Sequence, residues 1–318
     1  MTMPPEASAA AAQRRRVRAY YQATQPLYTA LWSPSAVHYG LWEVGTRTHS
    51  ESILNLDRHA AEHLALPPGA RVLDAGCGVG GTSRLLASRY GLRVVGATLS
   101  PRQVRGAARR ARQLAPPTRP QFLLADFAST PFADATFDGI VAIESFCHAE
   151  RRLEVLAEAH RLLHRGGRLV VADGFRSDDR HLATDPRYRA LCHGMALPDL
   201  AGAAEFIAAL GAVGFRVERD VDLTPAILPS AHRIATLSRI GVRVCRALRL
   251  PRAWLAHGEA GLAQLPLFRE GLLSYRVVVA VKTRRDGVSA RALQHASNGT
   301  PQMTRQASGS RHPSEAAG

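Results

Sequence analysis

The segment Asp74-Ala75-Gly76-Cys77-Gly78-Val79-Gly80-Gly81-Thr82-Ser83 constrains the fold more than any other. It follows an apolar run, Arg71-Val72-Leu73-Asp74, and opens a helical pattern over Thr82–Tyr90. Clustered glycines let a backbone turn tightly and approach a ligand, and the helix behind them offers unpaired N–H groups to an anion. The alternation continues downstream. Apolar runs at Leu92–Ala97, Gln121–Leu124, Gly139–Ile143 and Arg168–Ala172 predict strands two to five. Helices are predicted over Pro101–Leu114 and over Arg151–His164, the latter stopping at Gly166-Gly167. Strands alternating with helices imply a doubly wound, mainly parallel α/β sheet. Phe215–Val221 and Tyr275–Lys282 supply two further strands, residues 183–213 read as helical, and residues 231–256 read as a basic amphipathic helix.

The glycine loop admits two classes of cofactor. Gly76, Gly78 and Gly81 fit the dinucleotide pattern G-x-G-x-x-G, which alone is weak evidence. Dinucleotide folds place an acid about 20 residues on, to bind the ribose. Here the second strand runs into Gly96-Ala97-Thr98-Leu99-Ser100-Pro101, with no acid. Asp74, two residues before the first glycine, repels a pyrophosphate but suits an ammonium. S-adenosyl-L-methionine (SAM) carries an ammonium and a sulfonium, no phosphate, and a carboxylate that can use the helix N-terminus. SAM is therefore the expected cofactor.

Lys and Arg exceed Asp and Glu by 15 in this 318-residue chain. A field of that sign favours anionic partners, but its location matters. Much of it lies in residues 1–16, in residues 233–252 with six arginines and no acid, and in residues 283–318. Charge gathered at the ends does not form a nucleic-acid groove, so no nucleic-acid partner is expected. Four scattered cysteines without a C-x-x-C suit a reducing compartment and predict no disulfide scaffold or zinc ribbon. No apolar run reaches the roughly 18 residues of a spanning helix, and the Ala/Pro-rich start lacks a secretory apolar core, so the expected location is cytoplasmic. The expected organisation is a disordered leader (1–16), an N-terminal helical cap (17–66), a cofactor-binding core (67–175), a helical lid with the sixth strand (176–258), a closing antiparallel strand (259–283) and a disordered tail (284–318). The cap holds Tyr20, Tyr21, Tyr28, Trp32, Tyr39 and Trp42, a density that suits an aromatic pocket wall as well as a packed cap.

Five segments carry a family resemblance: VLDAGCGVGGTSRLLA (72–87), VVGATLSPRQ (94–103), ADFASTPFADATFDGIVAIESFCHAE (125–150), HYGLW (38–42), and ALPDL (196–200) with GLLSYRVVVAVK (271–282). Together they resemble a class I SAM-dependent methyltransferase, and within that class the tocopherol, sterol and terpenoid methyltransferases. The resemblance covers roughly residues 17–283. It implies a Rossmann-like, seven-stranded sheet with an antiparallel last strand. It implies that Gly76, Gly78 and Gly80 line the methionine part of SAM and that Asp74 helps hold its ammonium. Thr98 and Leu99 then sit by the ribose with Gln103 nearby. Asp126 meets the adenine amine beside Phe127, and Ile143 and Glu144 close the fourth strand against the cofactor.

The implied reaction moves a methyl group to a lipophilic small molecule, of isoprenoid, terpenoid, sterol-like or quinol/chromanol-like type. Glu144 and His148, four residues apart after the fourth strand, are the expected acid–base pair. His38 and Tyr39 are candidates to reach the pocket, and Tyr20, Tyr21 and Tyr28 to face a cation. No His/Cys/acid cluster suggests a metal. Arg239, Arg243 and Arg246 form a stripe that suits a solvated lid, peripheral membrane contact through 231–256, or an anionic substrate such as a prenyl diphosphate. Transfer to O or N of another natural product, transfer to nucleic acid as the less favoured alternative, and SAM binding without transfer are the competing readings.

Overall fold

The computed structural model describes residues 5–283; residues 1–4 and the expected tail 284–318 lie outside the described residues. Seven strands form one sheet: β1 (Arg71–Ala75), β2 (Arg93–Thr98), β3 (Gln121–Leu124), β4 (Phe137–Ile143), β5 (Leu163–Arg176), β6 (Phe215–Asp222) and β7 (Leu273–Lys282). Their order is β3-β2-β1-β4-β5-β7-β6. The first five run parallel, and β7 is antiparallel to both β5 and β6. This is the expected Rossmann-like sheet with its reversed last strand.

Period-two alternation divides the sheet's side chains between two cores. Val141, Ile143, Val170, Ala172, Val277 and Val279 face one core. Ile140, Ala142, Leu169, Val171, Val278 and Ala280 face the other. Near-continuous apolar strands are what a sheet covered on both faces requires. Nine helices cover it among the described residues: α1 (Pro5–Leu27), α2 (His49–Leu64), α3 (Gly81–Tyr90), α4 (Pro101–Ala111), α5 (Arg152–Leu162), α6 (Pro186–Gly194), α7 (Ala203–Val213), α8 (Thr224–Ala247) and α9 (Arg252–Arg269).

Four expectations need correction. Residues 5–16 are helical rather than part of a disordered leader, because Ala9–Ala12 and the arginines behind them are strong helix formers. Leu163–Gly167 belong to β5, since Leu163 pairs with Phe137, so the preceding helix ends at Leu162. The helical stretch 183–213 is two helices, α6 and α7, parted by residues 195–202. The basic stretch 231–256 also breaks in two: α8 stops at Ala247, and Pro251 caps the start of α9. Proline suits a helix start and cannot continue one.

The lid helices α6, α8 and α9 pack tightly through small residues. A Cβ added to Gly194 of α6 would lie 2.1 Å from the Ala256 carbonyl oxygen of α9. Gly194→Ala should therefore cost roughly 1–3 kcal/mol, as overpacking does, read as a lowered denaturant midpoint. Among the described residues no helix is long and apolar enough to cross a membrane.

Candidate active site

The parallel strands end at one edge, and there the chain encloses two adjoining chambers. The first is walled by Gly76 and Gly78 of the glycine loop, by Thr98, Leu99 and Gln103 after β2, by Asp126 and Phe127 after β3, and by Ile143, Glu144 and His148 at and beyond the end of β4. Ten of the residues singled out above thus meet around one cavity. Helix α1 closes it with Gln13, Arg14, Val17, Arg18 and Tyr21.

Asp74 and Gly80 are placed elsewhere. Asp74 is buried beneath the loop, where its carboxylate accepts the Ser83 hydroxyl proton from the first turn of α3. Burial pushes that carboxyl up to about 7, and the side chain is not on the cavity wall. Gly80 takes φ 77 as the cap of α3, and a Cβ there would collide with Phe122 and Ala107. Both residues shape the loop from behind.

The loop leaves room for a cofactor. A Cβ on Gly78 would point into open space, with the nearest atom, Val37 Cγ2, 3.9 Å away. Gly76 has φ 89, and a Cβ there would fall 2.3 Å from Ser145 Cβ. The Gly76 and Cys77 N–H groups are tied to the Ala97 carbonyl at 2.9 Å, which holds the bare loop backbone in place beside the cavity. Thr98 donates to Gln103 Oε1 at 2.6 Å, and Gln103 Nε2 donates to Gln25 of α1 at 2.8 Å. Asp126 accepts from the Ala128 N–H at 2.9 Å and pairs with Arg14 of α1 at 3.2 Å. A glycine cradle, a hydroxyl–amide pair and an acid beside the Phe127 ring fit the amino-acid, ribose and adenine parts of SAM. No diphosphate partner is required.

The second chamber shares Tyr21, Val37, Glu144 and His148 with the first. Leu191, Met195, Leu197, Leu200, Phe268 and Leu273 make its apolar wall. Glu144, Asp173, His148, Gln264 and Tyr20, Tyr21, Tyr28 and Tyr39 make its polar side. Among the described residues no lysine or arginine lines it. Tyr39 is on the wall, whereas His38 is buried behind it.

Glu144 has φ 48, a left-handed backbone that costs a non-glycine residue roughly 1–3 kcal/mol. Its carboxylate accepts from the Tyr39 N–H at 2.7 Å and from the Tyr275 hydroxyl at 3.0 Å. Burial pushes this carboxyl up to about 7. His148 sits in a short 3₁₀ turn, Phe146–His148, instead of the expected α-helical turn. Its Nδ1 faces the Ala196 carbonyl at 3.3 Å and its Nε2 faces the Tyr21 hydroxyl at 2.9 Å. A carbonyl can only accept, so Nδ1 carries the proton and Tyr21 donates to Nε2. Burial holds the ring neutral, with a pKa near 4.

Two contributors escaped the sequence reading. Asp173, near the end of β5, accepts from the Cys147 and Gly174 N–H groups at 2.9 Å, and burial pushes it up to about 6. An acid ending an apolar strand at the ligand edge was its visible signal. His257 of α9 faces the Tyr20 hydroxyl at 3.2 Å, and Tyr20 faces Tyr28 at 2.8 Å. Nothing in the local sequence marked His257. Among the described residues no three His, Cys, Asp or Glu side chains gather as metal ligands would.

Comparison with known proteins agrees with this geometry. Residues 73–171 match the family described as a methyltransferase domain. The 24-methylenesterol C-methyltransferase 2 of Oryza sativa subsp. japonica is 34% identical over 263 residues, 78% of this chain and 71% of that protein. The chain belongs to the class I SAM-dependent methyltransferases. The 2-methyl-6-phytyl-1,4-hydroquinone methyltransferase of Synechocystis is 36% identical over 201 residues, 62% of this chain and 60% of that enzyme. The cyclopropane synthase MmaA2 from Mycobacterium tuberculosis shares the fold at a TM-score of 0.75, with 21% identity over 85% of this chain and 98% of that one. As a methyltransferase the chain uses SAM as methyl donor.

Gly76→Ala tests the loop. The added methyl strains a left-handed backbone and strikes Ser145, so SAM affinity measured by calorimetry should fall at least about tenfold.

Proposed function

We propose that this methyltransferase acts on an uncharged, lipophilic small molecule, of isoprenoid, terpenoid, sterol-like or quinol/chromanol-like type, held in the second chamber. One observation carries the reading: among the described residues an apolar-walled chamber without a lysine or arginine adjoins the glycine-loop cavity, sharing Glu144 and His148 with it. The sterol and hydroquinone named for the two relatives are of the same kind. A prenyl diphosphate fits poorly, because it would meet Glu144 and Asp173 with no cation to offset them. Arg239, Arg243 and Arg246 lie on the exposed face of α8 and take no part in either chamber.

When bound, SAM supplies a methyl group on an already activated sulfonium leaving group. The protein's share is to position the acceptor, exclude water and manage charge. An alkene or ring carbon becomes positive as it takes a methyl group, and must then lose a proton. Glu144 and Asp173 face that charge, together with the phenol rings of Tyr20, Tyr21 and Tyr28. Glu144, with its pKa near 7, is the matched proton acceptor. His148 is too weak a base near neutrality, and its bond to Tyr21 suits orientation of the acceptor. In this reading Thr98, Leu99, Gln103, Asp126, Phe127 and Ile143 hold SAM with Gly76 and Gly78.

Peripheral membrane contact belongs to the same reading. Ile240 and Val244 of α8 and Leu248 at its C-cap are exposed apolar residues spaced at i, i+4 and i+8. Exposed Arg239, Arg243 and Arg246 run beside them, and only Arg246 of the three is given an acid partner, Glu259. Apolar residues flanked by arginines suit the surface of an anionic bilayer, where a lipophilic acceptor partitions.

Incubation with methyl-labelled SAM and matched panels of neutral isoprenoids, quinols and prenyl diphosphates tests the acceptor class. Label should enter neutral lipids; transfer to diphosphates alone would overturn it. Glu144→Gln should lower kcat by about 10²–10⁴-fold. Wild-type activity should fall as pH drops through about 7, where Glu144 gains its proton. Sedimentation with anionic vesicles should weaken in an Arg239→Glu/Arg243→Glu variant and be absent from zwitterionic vesicles.

A further inference from the structure

His38 lies behind the chamber wall, 5% exposed. Its Nδ1 donates to the Tyr39 carbonyl at 2.7 Å, and its Nε2 is 3.3 Å from Asp57 Oδ1. Asp57, 2% exposed on α2, also accepts the Thr82 hydroxyl at 2.6 Å, and Thr82 stands in the first turn of α3 behind the glycine loop. Through the next residue in the chain, the Tyr39 N–H donates to Glu144 Oε1 at 2.7 Å. One dipeptide therefore ties α2, the glycine-loop helix and the end of β4 together.

The charges around it give the arrangement a direction. Glu144 faces His38 and Tyr39 from the segment before α2, Tyr21 from α1 and Tyr28 from the turn after it. It also faces Cys147 from its own loop, Asp173 from β5 and Tyr275 from β7. All of these partners except His38 are neutral or negative. His38 in turn faces Asp57, Asp74 and Glu144, with His49 nearby. Burial works against its charge, but Asp57 prevails and holds the imidazole up at about 9.

We propose that His38, paired with Asp57, is a positioning residue for methyl transfer: it holds the Tyr39 carbonyl, so that the N–H of the same residue stays on Glu144, and it supplies the positive charge that keeps Glu144 a carboxylate. It touches neither chamber, so it acts only through Glu144. The inference rests on the role given to Glu144 in the proposed reaction, but its test needs no acceptor.

The test is carbon-detected NMR of carboxyl-labelled protein, with Glu144 assigned by the signal lost in Glu144→Gln. In the wild type the Glu144 carboxyl should titrate near 7. In His38→Gln it should titrate about one pH unit higher or more, because a positive neighbour has been removed. Nitrogen-15 spectra should show one imidazole still doubly protonated at pH 8, missing from His38→Gln. In Asp57→Asn that imidazole should lose its proton below pH 7, and the Glu144 titration should rise with it. Asp57→Asn thus carries the test if His38→Gln does not fold. A Glu144 titration unmoved in a variant that still melts cooperatively and binds SAM would overturn the proposal. A neutral His38 at pH 7 in the wild type would do the same. A wrong acceptor class would leave every one of these signals intact and would show only in the labelling panel.

Discussion

The carboxylate of Glu144 is the point on which the two chambers depend. It sits where the central strand β4 ends, with a backbone conformation that a non-glycine residue adopts only when its surroundings compel it. The compulsion comes from far along the chain: an N–H from residue 39 and a hydroxyl from residue 275 converge on one oxygen. Buried carboxylates are costly unless bonded, and this one is bonded by Tyr39 of the chamber wall and by Tyr275 behind it. The N-terminal cap, the sheet's central strand and its closing strand are therefore joined at a residue that lines both chambers. A change in any of the three elements reaches the reaction through that junction.

Much of this was legible in the sequence. Short-range pattern located the glycine loop, the five parallel strands and the reversal at the end, because strand alternation and glycine chemistry are local properties. Ten residues expected around the cofactor or the reacting group share a cavity for the same reason, since they lie at or beyond the ends of parallel strands and those ends share an edge. Asp74 and Gly80 went astray because the motif does not say which side of the loop a residue faces. Asp74 turned inward to Ser83, and Gly80 turned toward Phe122. The leader was misread because an alanine run looks like low complexity until something is there for its helix to cover. Asp173 had a local signal as an acid after an apolar strand, whereas His257 needed three-dimensional proximity to be noticed at all.

Net charge is a poor guide to the lining of the second chamber. A chain with fifteen excess basic residues has a chamber whose polar side is made mainly of acids and phenols. Arg239, Arg243 and Arg246 occupy the exposed face of α8, while helix α9, whose Gln264 and Phe268 form part of the wall, lies against the chamber. Global charge governs what the surface meets, and local charge governs what the chamber admits. Here the two have opposite sign.

Helix α1 contributes Arg14 beside Asp126 on the cofactor side and Tyr21 beside His148 on the acceptor side. Gln13 and Arg16 fasten it to the Ala196, Cys192 and Leu197 carbonyls of the lid. An element shared by two sites is a path by which they are linked: a ligand that shifts the helix at one site shifts it at the other. Linkage is reciprocal, so whatever factor one occupancy applies to the other's affinity is returned unchanged. The two sites share, through one helix, a single coupling.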